Sequence, residues 1–131
     1  MKPDIQNRRD LEKLLREFYR AATGDELIGH HFADLDLAKH LPVIVDFWEK
    51  VLFGAPVYYG NPLAAHLALN EKFRLKPEHF RRWLEIFDLT IDGNFAGERA
   101  ESAKLRARMI ARSLDQRINE NLQQKIKIVE K

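Results

Sequence analysis

The chain contains no cysteine. That absence excludes disulfides, zinc fingers and thiolate chemistry at once. Long hydrophobic runs are missing as well: no stretch approaches the roughly 20 apolar residues of a membrane span. The amino terminus, Met1-Lys2-Pro3-Asp4-Ile5-Gln6, holds no apolar segment of the kind a signal peptide needs, so a cytoplasmic protein with no membrane partner is expected. Nor is there an excess of charge of one sign. Lys and Arg total 22 against 20 Asp and Glu, and the pairs Arg8-Arg9 and Arg81-Arg82 lie far apart among acids, which argues against a nucleic-acid surface.

Glycine and proline are scarce, at six and five among 131 residues, and they fall between segments rather than within them. Those segments carry apolar residues at helical spacing, so the fold class read from the sequence is all-α. The length sets one domain, over about 1–122, able to bury its own core; 123–131 read as a charged C-terminal tail that frays. A monomer is expected.

The first helix places Leu11, Leu14, Leu15, Phe18, Tyr19 and Ala22 at steps of three and four, capped by Asn7 or Asp10 and ended near Gly24. A short helical turn and corner follow between Glu26 and Leu35, with Phe32 as a plug. A second helix from about Asp36 to Phe53 puts His40, Ile44 and Trp48 on one face, with Pro42 predicting a late start or a bend. Asn61 and Pro62 are a natural N-cap and first residue for a short helix that carries His66, with Asn70 to Lys76 irregular beyond it. Pro77 opens a helix whose stripe runs through Phe80, Trp83, Leu84, Phe87 and Ile91, and Gly97 separates it from a last helix rich in alanine.

His66 is the only side chain of its short helix with a metal-binding atom, and it points where Leu63 and Leu69 point. An imidazole aimed among leucines either finds a backbone acceptor or binds a metal that tolerates an apolar surround, haem iron being the obvious one. Tyr19, His40 and Trp83 are further hydrogen-bonding side chains aimed inward, with Phe32 at the corner. Each has an ordinary structural explanation. Together, four polar side chains entering one small helical core are costly unless something occupies its centre.

Phe18-Tyr19, Phe47-Trp48, the Gly60-Asn61-Pro62 turn leading to His66, His79-Phe80, Trp83-Leu84 and Phe87, and the stretch from Ala107 to Leu114 form a set that resembles the truncated haemoglobins, and among them the third group. The likeness spans about Leu11 to Ile118. It implies a two-over-two helical sandwich around haem b, with His66 as the proximal iron ligand. It further implies that Tyr19, His40 and Trp83 line the distal side, that Ile44 closes the wall and that Phe32 packs against the porphyrin plane. Phe73 is grouped with the cofactor contacts, and Tyr59, Lys72 and Arg74 flank the region where the haem propionates need partners.

The resemblance implies binding of oxygen, nitric oxide or carbon monoxide, held by distal donors. Two or three hydrogen bonds at about 0.5–1.5 kcal/mol each slow ligand escape roughly ten- to several-hundred-fold, which fits poorly with simple oxygen transport. An uncharged proximal histidine disfavours vigorous peroxide cleavage, so an enzyme is not the primary expectation. Weak nitric-oxide dioxygenation or peroxide reduction, served by a reductase, is the alternative on the same scaffold. A haem-free helical interaction domain is the alternative from another class. His30-His31 is read as no metal site, because adjacent helical residues do not face each other, and His79 as a solvated or capping residue.

Overall fold

The computed structural model describes residues 2–56 and 60–130, with side chains as far as Asn119. Its elements are α1 (Arg8–Thr23), a 3₁₀ turn (Gly29–Phe32), α2 (Leu37–Phe53), α3 (Pro62–Lys72), α4 (Pro77–Asn94) and α5 (Glu98–Glu130), with no strand among the described residues. None of these helices is long and apolar enough to cross a membrane.

Helix α1 starts where Asn7 Oδ1 accepts the Asp10 amide at 3.0 Å, and its buried residues are the six that the spacing selects. The 3₁₀ turn is then held to α4 through one carboxylate. Asp25 accepts the Leu27 and Ile28 amides at 3.1 and 3.2 Å and takes Arg82 Nε at 3.0 Å. The Arg82 guanidinium, helped by those amides, holds the Asp25 carboxyl below its ordinary range.

Helix α2 is capped by Asp36 and ends on Gly54, whose φ of 72° is the left-handed conformation that a side chain disfavours. It does not start late. Pro42 lies inside it on the exposed side, where the proline leaves an acceptor facing water rather than core. Helix α3 begins at the expected cap, with Asn61 Oδ1 accepting the Ala64 amide at 3.1 Å, but it runs further than the sequence suggests. Asn70, Glu71 and Lys72 continue it, since two of the three are good helix formers and none breaks the pattern. In α5 the helical backbone extends through the stretch that was expected to fray.

Helix α1 packs on α2 and on α4, α4 packs on α5, and α2 and α3 also meet α5, giving one pair of helices laid over another. Phe18 stands at the crossing, edge-on to Trp83 at 5.5 Å and to Phe87 at 5.6 Å between ring centroids, while Trp83 stacks on Phe87 at 5.2 Å. Buried Ala100, Ala103 and Ala107 keep the inner face of α5 narrow enough for close approach. Helix α3 differs from the rest in burying no residue at all. Its Leu63 and Leu69 are only partly covered, against Leu75, Leu114 and Ile118.

Candidate functional site

Of the residues nominated from the sequence, the structure joins two directly. Helix α1 delivers Tyr19, almost wholly buried, and α2 delivers His40 in its first turns. Tyr19 Oη and His40 Nε2 lie 2.9 Å apart. The Phe32 ring stands perpendicular to Tyr19 at 5.7 Å, so the 3₁₀ turn packs beside this pair. Ile44 follows His40 by one helical turn and is half-buried against the core. Trp83 reaches the same region from α4, held by its stack on Phe87, and its indole N–H makes no hydrogen bond among the described residues.

His66 stands on α3. Its Nδ1 lies 2.7 Å from the carbonyl oxygen of Pro62, one turn earlier in α3. A carbonyl can only accept, so Nδ1 carries the proton and Nε2 keeps a lone pair directed away from the helix. This is the arrangement that fixes a ligating imidazole: one nitrogen tied to an outer acceptor, the other free. The expected backbone acceptor is thus the Pro62 carbonyl.

Electrostatics links His66 to His40. Burial lowers the pKa of His40, and the proximity of His66 lowers it further, so the two imidazoles lie within reach of each other's field. Burial pushes the Tyr19 phenol up, well beyond its ordinary range. At neutral pH the pair Tyr19 and His40 is therefore uncharged and holds its protons for hydrogen bonding.

Phe32, Leu41, Ile44, Phe47, Val51, Trp83, Leu84 and Ile110 are apolar and only partly covered where they pack against the fully buried core. A cavity of about 470 Å³ also opens between α2, α3 and α5, lined by Phe47, Val51, Leu63, Met109, Ile110 and Leu114, with Arg106 and Arg117 at its edge.

The remaining nominations are placed differently. Phe73 caps the end of α3 and presents its ring to His30 at 5.9 Å. Arg74 spends its guanidinium on Asn70 Oδ1 at 3.1 Å, the Leu75 carbonyl at 2.9 Å and Asn119 Oδ1, tying the α3–α4 link to α5. Lys72 pairs with Asp34. Tyr59 lies outside the described residues.

Sequence reasoning missed one grouping. The His30 and His31 rings do approach, to 4.1 Å between centroids, because they sit on a 3₁₀ turn rather than on the face of an α-helix. His79 is a cap, as one of its two readings had it: its Nδ1 accepts the Lys76 amide at 2.9 Å. It is not solvated, with only 9% of its surface exposed. A three-histidine contact between positions so far apart leaves no local pattern to read.

No family model matches the chain. Over 117 residues it is 30% identical to the Group 3 truncated hemoglobin ctb of Campylobacter jejuni subsp. jejuni serotype O:2, an alignment that covers 85% of this chain and 90% of that relative. The crystal structure of group III truncated hemoglobin from Campylobacter jejuni superposes with a TM-score of 0.80 at 28% identity, covering 90% of this chain and 95% of the other. Sequence and fold agree over most of both chains, and the chain belongs to the group 3 truncated haemoglobins.

Proposed function

We propose that the chain binds haem b through His66 and holds a diatomic ligand such as oxygen, nitric oxide or carbon monoxide on the opposite face. The observation that carries this reading is His66, its Nδ1 committed to the Pro62 carbonyl and its Nε2 left to ligate, near enough to His40 to lower that residue's pKa while His40 itself meets Tyr19 Oη at 2.9 Å. The chemistry of the lining supports it. Half-covered aromatic and aliphatic side chains suit a flat apolar macrocycle, and a helix α3 that buries nothing by itself gains burial when one is inserted. With no cysteine in the chain, a porphyrin has no thiol to form a thioether with, which favours non-covalent haem b.

When bound, haem would supply an iron centre that takes up a diatomic ligand. His66 Nε2 would hold the iron, with Phe32, Ile44 and Phe73 as candidate porphyrin contacts and Tyr59 and Arg74 as candidate propionate partners. Toward the ligand Trp83 can only donate, whereas Tyr19 both donates and accepts. Where His40 Nε2–H donates to Tyr19, the phenolic hydrogen is released toward the ligand. The Pro62 carbonyl is a weaker acceptor than a carboxylate, so His66 stays a neutral imidazole, which suits ligand retention better than peroxide cleavage.

Addition of hemin to the purified chain is expected to give one equivalent of a Soret-absorbing complex. His66→Gly should lose that complex or shift its spectrum, and free imidazole should restore it. A chain that stays colourless, or a His66→Gly variant with an unchanged spectrum, overturns the reading.

A further inference from the structure

Three imidazoles that the proposed haem binding does not use meet beside Phe73 and the Arg74 carbonyl. The 3₁₀ turn after α1 supplies His30 and His31, and the first turn of α4 supplies His79, whose ring lies 4.6 Å from that of His31 and 5.8 Å from that of His30. One ring nitrogen from each falls within 4.8 Å of the other two. We infer that His30, His31 and His79 form a second metal site, for a divalent transition ion of the zinc, copper or nickel class.

The donor set selects that class, since imidazole alone suits these ions and offers nothing to calcium or magnesium. Three histidines also leave a coordination position open on the side where His30 is exposed. Distances are within reach. Tetrahedral zinc with bonds near 2.0–2.1 Å spaces its ligands by about 3.3 Å, so the widest pair closes by about 1.5 Å, a movement that the exposed His30 side chain can supply.

His31 is partly prepared as a ligand. Its Nε2 donates to the Arg74 carbonyl at 3.2 Å, which leaves a lone pair on Nδ1, and the ring must yield its contact with the Ile28 carbonyl to present it to a metal. His79 is less ready. Because its Nδ1 accepts the Lys76 amide, the neutral ring carries its proton on Nε2; coordination there requires that proton to move to Nδ1, and the cap is given up. Desolvation lowers the values of both buried rings, with His30 adding to the effect on His31 and His31 to that on His79, so no proton has to be expelled from an imidazolium at neutral pH. An ion bound here would clamp the turn that carries Phe32 onto the start of α4.

The test is a titration of the tag-free, hemin-loaded chain with Cu²⁺ and Zn²⁺. One equivalent is expected, with nitrogen hyperfine structure on the copper EPR signal, at least tenfold weaker in His30→Ala and His79→Gln. His30→Ala is surface-exposed and should keep the fold and the Soret band. If the chain does not take up haem, the same titration of the His66→Ala variant isolates the triad from the other imidazole pair, so the two readings fail separately. No binding by the wild-type chain, or equal binding by His30→Ala, overturns the inference.

Discussion

Tyr19 Oη and His40 Nε2, 2.9 Å apart, share a single hydrogen between two groups that burial keeps uncharged. Only two arrangements exist. Either Tyr19 donates to the imidazole and has no hydrogen left for a ligand, or His40 donates and frees the phenol. Tyr19→Phe is expected to speed dissociation of a bound diatomic ligand by about two- to tenfold, the equivalent of one hydrogen bond. His40→Leu combined with Tyr19→Phe should then cost less than the two single changes added together, because both break the same link. Stopped-flow dissociation rates for the four proteins check this; strict additivity would mean that the two residues act on the ligand independently.

The fold was largely legible in the sequence because its determinants are local. Asn7, Asp36 and Asn61 each cap a helix through their own side chain, and the α1 stripe is written at steps of three and four. The candidate site rested on a different kind of reading: His66, Tyr19, His40 and Trp83 each lie on a recognisable helix, the family likeness implied their juxtaposition, and the structure brings Tyr19 and His40 together. What escaped is mostly non-local. The end of α3 at Lys72 was a local propensity read too short, but the contact of His79 with His31 follows from no short window, and Arg74, nominated for an anionic partner, is met by Asn119 on a distant helix.

Phe18 carries the aromatic crossing that holds Trp83 in place. It is 1% exposed and edge-on to Tyr19, Trp83 and Phe87. Phe18→Ala is expected to cost about 3–5 kcal/mol of stability and, through the loosened Trp83, to raise ligand dissociation as well. Phe18→Leu should cost much less. Urea unfolding gives the first quantity and ligand release the second; a destabilised protein with unchanged ligand kinetics would separate the packing of Trp83 from Phe18.

Acid should weaken the fold in two stages. His31, His40 and His79 all have values lowered by burial from an ordinary 6.5, so the unfolded chain takes up protons that the folded chain refuses. Their contribution is complete above about pH 6.5 and is lost as the pH falls below it. Asp4 and Asp25, lowered from 3.8, add a second loss at more acid pH, as their carboxylates protonate. The urea midpoint is expected to drop between pH 7.5 and 5.5, and His31→Gln should flatten that first slope. A midpoint that holds constant down to pH 4.5 would contradict the assignment of neutral buried histidines.

The start of α5 depends on a residue near the other end of the chain. Asp4 accepts the Arg99 and Ala100 amides at 3.0 and 2.9 Å, doing for this helix what a local cap does for the others. Burial alone would raise the Asp4 value, and these amides, the Ile5 amide and the Arg99 charge overcome it. The carboxylate fits because Gly97 has no side chain: a Cβ there would come within 2.5 Å of the Asp4 carboxyl carbon, and φ at Gly97 is 142°, where other residues are strained. Asp4→Ala should cost about 1 kcal/mol, as the loss of a helix cap does. Gly97→Ala should cost more, because it adds backbone strain of about 1–3 kcal/mol to displacement of the cap. With both changes the contacts with the carboxyl group go, while the strain and the approach to the Cβ of residue 4 at 2.7 Å stay, so the double variant should be somewhat more stable than the sum of the two losses predicts. Denaturant unfolding of the three variants decides it, and full additivity would show that the two positions do not share the same space.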